Sequence, residues 1–212
     1  GRTFQFHLLR RSSRILSRSL QIQPFRIRTA ALLRTMAARA VYSGPPGQDP
    51  SEQFRLCAAP PAGHGGFADE VVLLEGRKAR ALVHRDGDWH RSVHLWLYHP
   101  ASKSVVLQQR SVHKDTHPGL WDVSAAGHIT GDDDVVTTVV REAEEELGLT
   151  GLSHTDVRFL FTAVNQSVGE TKHGAFRDNE FAHVYTAEAP DIDKLSAGES
   201  EVSAIKMVPL LD

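Results

Sequence analysis

The stretch GHITGDDDVVTTVVREAEEELGL, residues 127–149, decides how the rest of the chain is read. Glu142, Glu145 and Glu146 stand at i, i+3 and i+4, so on a helix the three carboxylates share one face. Like charges this close repel, and the arrangement costs stability unless something neutralises it. A hard divalent cation such as Mg²⁺ does so, because oxygen ligands are what it binds. Val136, Val140, Ala143 and Leu147 recur on the other side and are expected to face the core. The spacing predicts a helix over 132–147. Asp132, Asp133 and Asp134 suit its positive end, and Gly148 suits a left-handed termination. One local signal opposes this: 135–140 is VVTTVV, all β-branched, and propensity alone favours a strand. The helix needs tertiary packing to override it.

Outward from this helix the pattern is one of strands, expected at 79–84, 92–98, 104–110, 122–126, 157–164, 180–187 and 201–208. HPGLWD (117–122) reads as a turn. Strands with an interposed helix predict an α/β class, a sandwich around a mixed sheet. Residues 44–66, GPPGQDPSEQFRLCAAPPAGHGG, are rich in Pro and Gly. The expected organisation is a basic extension over 1–48, a linker over 49–67 and a folded domain over 68–212. The last predicted strand runs almost to Asp212, which leaves open whether a closing C-terminal helix is missing.

The 212 residues suit one compact domain plus a tail. At 41% apolar and 24% charged, the chain is not wholly disordered, collagen-like or a coiled-coil rod. It has no run of about 18 apolar residues, so no membrane-spanning helix is expected. A single cysteine, Cys57, excludes an intrachain disulfide framework. The net charge of −2 hides an asymmetry: residues 1–48 carry nine Arg and no Asp or Glu. An Arg-rich, acid-free, Ser-containing start fits a transit peptide, hence a mitochondrion or plastid. Met36 offers an alternative, cytoplasmic start. The acidic remainder argues against a nucleic-acid partner.

The 127–149 stretch resembles the Nudix box, G-x5-E-x7-R-E-U-x-E-E-x-G-U, where U is apolar. This chain supplies Gly127, Asp133 in place of the first Glu, Arg141, Glu142, Ala143, Glu145, Glu146, Gly148 and Leu149. At roughly one in fifteen per residue type, six fixed positions coincide in about one window in ten million. Asp133 keeps the carboxylate but is one methylene shorter. The resemblance implies a Nudix-type α/β/α sandwich and a hydrolase of diphosphate linkages using Mg²⁺ or Mn²⁺. It implies that Glu142, Glu146 and the Ala126 carbonyl hold the metal. Glu145 would ligate it or orient water, and Arg141 would pin the carboxylates. A further carboxylate from outside the box is expected, with Glu170 and Glu180 as candidates.

Residues 84–98 and 107–128 further resemble type 1 isopentenyl-diphosphate isomerase, itself a Nudix-fold enzyme. That resemblance puts Arg110 and Lys114 on the diphosphate of a small-molecule substrate. It makes His84, His90, His128 and Asp178 a second metal set, with Glu180 handling a proton. The isomerase's Cys-Gly-His reads Ala126-Gly127-His128 here, so one acid/base group is missing. The expected activity is therefore hydrolysis of a nucleoside-diphosphate derivative or an isoprenoid diphosphate. An isomerase and a non-catalytic diphosphate-binding module remain as alternatives. Nothing in the sequence fixes the substrate or the oligomeric state.

Overall fold

A computed structural model describes residues 49–171, 174–198 and 200–210; the basic extension, and with it the expectation of a transit peptide, lies outside them. The elements are β1 (Gln53–Cys57), β2 (Phe67–Ala68), β3 (Leu73–Ala79), α1 (Arg80–Asp86), β4 (Trp89–His99), β5 (Ser104–Arg110), β6 (Trp121–Asp122), β7 (Ala125–His128), α2 (Val135–Leu147), β8 (Arg158–Thr171), β9 (Gly174–Glu188) and β10 (Val202–Pro209). They build one mixed sheet with the spatial order β10-β5-β4-β9-β8-β2. Strands β1 and β7 join it along β4, and β6 joins along β5. The β4–β9 pair is parallel.

Side chains alternate across β4, and the alternation sorts the two faces of the sheet. Val93, Leu95 and Leu97 point to α2, where they bury with Val106, Ala125, Val139, Ala143 and Leu147. His90 points the other way, toward α1, with its ring 5.2 Å from that of His84. One helix thus lies on each face, as the expected sandwich requires.

Helix α2 forms despite VVTTVV because its ends and its packing agree. Asp134 Oδ2 accepts from the Thr137 backbone N–H at 2.9 Å, and the Thr138 hydroxyl bonds the Asp134 carbonyl at 3.0 Å. Gly148 ends the helix at φ +62°, where a side chain would be strained. The apolar stripe differs from expectation by one residue: Val139, not Val140, is fully buried.

Two expectations fail here. Residues 80–86 are a helix, not part of a strand; Arg, Ala and Leu favour that state, and Gly87 closes it at φ +74°. Residues 53–57, expected in the linker, form β1 and pair with β3 and β4. Phe54 in that strand is completely buried. A flanking Pro/Gly-rich composition masked a five-residue strand.

Candidate active site

Helix α2 carries the three box carboxylates, but in unequal settings. Glu142 and Glu146 are buried, whereas Glu145 is exposed. Arg141 joins Glu142 to Glu145: its guanidinium lies 2.8 Å from Glu142 Oε1 and 2.8 Å from Glu145 Oε2. Glu146 Oε2 accepts from the Ala126 backbone N–H at 2.8 Å and from Gln108 Nε2 at 2.6 Å. Its other oxygen, Oε1, is buried with no hydrogen-bond partner. Burial pushes Glu142 up to about 8, against the pull of Arg141 and with the repulsion of Glu146. Burial likewise pushes Glu146 up to about 7, against Lys114 and the Ala126 N–H.

Above Glu146, Lys114 Nζ stands 3.7 Å from Oε1 and donates to Glu201 Oε2. Arg110 orders the loop leading to Lys114: Nε donates to the Thr116 carbonyl at 3.0 Å, and Nη1 lies 3.2 Å from Asp122. A groove of about 560 Å³ opens beside Lys114, walled by His117, Val168, Glu170 and Phe176. His117 is held at φ +51°, a conformation unusual without glycine. Glu170, a candidate for the extra carboxylate, lies on that wall. Glu201, among the described residues, reaches the box through Lys114. Sequence reading missed it, because ESEVSA carries no spacing that marks it.

On the opposite face of the sheet His84, His90, His128 and Asp178 converge, each offering a ligand atom within 4.8 Å of the others. His84 Nε2, His90 Nε2, His128 Nε2 and Asp178 Oδ1 are all buried without a hydrogen-bond partner. The distances from Asp178 Oδ1 to His90 and His84 are 3.4 and 3.6 Å, and His128 Nε2 lies 3.3 Å from Glu180. Burial lowers all three imidazoles, His128 to about 3, so their rings are neutral at pH 7. Burial and the neighbouring Glu180 raise Asp178. Phe54 forms the floor, stacked on His128 at 4.6 Å and on His90 at 5.0 Å. Arg80 Nη1 sits 3.1 Å from His128 Nδ1 and 3.2 Å from Glu52. A guanidinium only donates, so Nδ1 accepts and the His128 proton sits on Nε2, facing Glu180. Neither spacing nor motif connects Glu52, Phe54 or Arg80 with this cluster.

The chain that builds this site has relatives among known proteins. A family model described as NUDIX domain matches residues 88–212. The chain belongs to the Nudix family. Nudix hydrolase 3 of Arabidopsis thaliana is 42% identical over 135 residues, which make up 62% of this chain and 17% of that protein. Isopentenyl-diphosphate Delta-isomerase 1 of Aromatoleum aromaticum is 26% identical over 123 residues, 55% of this chain and 65% of the isomerase. The chain thus spans less than two thirds of either relative. A crystal structure from Deinococcus radiodurans shares the fold at a TM-score of 0.51 and 21% identity, covering 74% of this chain and 83% of that one.

In this Nudix domain Gly127 is required by a close approach. A Cβ added there would lie 2.1 Å from the Glu142 carboxylate. Gly127→Ala must displace Glu142, so we expect weakened divalent-cation binding and a loss of about 1–3 kcal/mol of stability. Urea unfolding and a cation titration measure the two effects. Asp133 is exposed, and its neighbours do the structural work: Asp134 caps the helix, and Asp132 pairs with Arg55 at 2.9 Å and with Arg77.

The raised Glu142 and Glu146 make a signed prediction. Both bind protons more tightly when folded than at the ordinary value of 4.5. The folded state therefore holds the extra protons, and stability falls as pH rises from about 4.5 through 7–8. Below pH 6.5 the lowered imidazoles act with the opposite sign, so denaturant melts in chelator should show the decline between pH 7 and 8, Glu142→Gln and Glu146→Gln should flatten it, and Mg²⁺ should oppose it most at pH 8.

Proposed function

We propose that this Nudix domain hydrolyses a phosphorus anhydride, the diphosphate linkage of a nucleoside-diphosphate derivative or an isoprenoid diphosphate. The observation that carries the reading is Glu146 Oε1, a buried carboxylate oxygen without a partner beside Glu142 and below a lysine. An all-oxygen set suits Mg²⁺, with Mn²⁺ as a substitute. Glu142, Glu146, Glu145 and the Ala126 carbonyl would hold the ion. When bound, such an ion polarises a phosphoryl group and makes water a better nucleophile. Arg141 keeps Glu142 and Glu145 in one orientation through its paired contacts. Lys114 and Arg110 supply positive charge to a diphosphate that the carboxylates alone would repel. The groove beside Lys114 suits the organic group in size.

Within the His84–His90–His128–Asp178 cluster, three orphaned acceptor atoms, His84 Nε2, His90 Nε2 and Asp178 Oδ1, fit a second, nitrogen-preferring ion. The same cluster favours isomerisation as a second reading. Against it stands Ala126 where the isomerase resemblance wants a thiol. Cys57 does not replace that group, since it lies in β1 and burial pushes its thiol up to about 11. The test is a panel of ADP-ribose, a dinucleotide, a nucleoside triphosphate, isopentenyl diphosphate and geranyl diphosphate, with Mg²⁺ and with chelator. Cation-dependent release of phosphate or a monophosphate supports hydrolysis. Isoprenoid rearrangement without release overturns it.

A further inference from the structure

Glu201 lies outside the box, yet its carboxylate reaches the same lysine that overlooks Glu146. Its position is fixed by backbone bonds at the end of α2. Gly198 N–H donates to the Glu146 carbonyl at 3.0 Å, Ser196 N–H to the Leu147 carbonyl at 2.9 Å, and Val202 N–H to the Gly198 carbonyl at 2.9 Å. A Cβ at Gly198 would lie 2.1 Å from the Glu145 carbonyl oxygen, so only glycine lets this loop come so close. The Lys114 loop is tied to the same segment: Ser111 N–H donates to the Glu201 carbonyl at 2.8 Å, and Lys114 N–H to the Ser111 carbonyl at 3.1 Å.

The side chains share out their contacts unequally. The Lys114 side chain is only 9% exposed, so its ammonium needs an anionic partner. It has two within range. It hydrogen-bonds Glu201, and it stops 3.7 Å short of Glu146 Oε1, which is beyond hydrogen-bond reach. An unsatisfied buried carboxylate oxygen beside an ammonium is costly. If Lys114 were free to move, it would close that gap and become a permanent internal counter-ion for Glu146.

We propose that Glu201 is a positioning residue that draws the Lys114 ammonium aside and so keeps Glu146 Oε1 open for a divalent cation. It holds the ammonium beside the cation site, where it can meet the diphosphate, instead of inside it. The inference rests on reading Glu146 as a cation ligand.

The test is Mn²⁺ binding to the full chain, followed by electron paramagnetic resonance without substrate. Glu146→Gln identifies which binding event belongs to this pocket and which to the histidine cluster. Glu201→Ala should weaken that event by at least about tenfold, the scale on which residues behind metal ligands act. Lys114→Met should bind as tightly as the parent or tighter. The decisive protein is Glu201→Ala/Lys114→Met, which should return to the affinity of Lys114→Met alone. Glu201→Gln keeps the shape and a neutral acceptor, and should fall between the parent and Glu201→Ala. Thermal melts in chelator establish that each protein is folded. A double variant as weak as Glu201→Ala would make Glu201 a cation ligand and overturn the proposal, as would unchanged affinity in Glu201→Ala. A Glu146→Gln protein that keeps every binding event would instead remove the reading of Glu146 as a ligand. Substrate turnover enters none of these measurements.

Discussion

Glu146→Gln should lower cation-dependent diphosphate hydrolysis by more than about 100-fold, because residues merely behind metal ligands already account for 10–100-fold. The substitution is unusually specific. The amide oxygen can take the Oε2 position and keep the bonds from Ala126 N–H and Gln108 Nε2. The amide NH2 then falls where Oε1 was, and the one oxygen without a partner is gone. Shape, burial and two hydrogen bonds survive, so the fold should survive as well. At pH 8 the variant should be at least as stable as the parent, since it no longer buries a carboxylate pushed up to about 7. A steady-state assay beside a denaturant melt separates the two effects. An inactive but unfolded protein would show nothing about the site.

Phe54→Ala should cost about 3–5 kcal/mol of stability, the usual loss on emptying a buried aromatic position. Small domains have about 5–15 kcal/mol in total, so this is a large share. The ring is fully buried and is surrounded by His84, His90 and His128 at centroid distances of 5.9, 5.0 and 4.6 Å. Removing it leaves a cavity under three imidazoles whose Nε2 atoms are already without partners. The histidines would lose the surface that sets their tilt, so any ion they hold should bind more weakly. Leu at the same position fills part of the volume and should recover part of the stability. Equilibrium unfolding of both variants in chelator measures this, and a loss below about 1 kcal/mol would contradict the packing described.

Phe54 also marks the limit of what the sequence discloses. The box is local: its residues lie within two turns of one helix and the loop before it, so fixed spacing reveals Gly127, Arg141, Glu142, Glu145 and Glu146 together. The strands at 104–110 and 201–208 are legible because short Val- and Ile- or Leu-bearing apolar runs stand there, and the structure has Ser104–Arg110 and Val202–Pro209. The remaining features depend on long-range pairing. Phe54 reaches the histidines because β1 pairs with β3 and β4 across a Pro/Gly-rich connection. Glu201 reaches Lys114 because β10 runs beside β5. Neither contact has a period or motif. The strand expected at 79–84 failed because a seven-residue helix leaves too short a pattern to separate the two periods. In α2 the reverse held: β-branched propensity pointed to a strand, and a capped N-terminus with a buried Val139, Ala143 and Leu147 outweighed it.

The most direct test follows phosphorus NMR of the full chain with Mg²⁺ in ¹⁸O-labelled water, beside Glu146→Gln. Using ADP-ribose and isopentenyl diphosphate covers both substrate classes. The account predicts a cleaved diphosphate with ¹⁸O in one phosphate-containing product, and no cleavage in the variant. An isoprenoid rearranged with its diphosphate intact, or cleavage unaffected by Glu146→Gln, would contradict it.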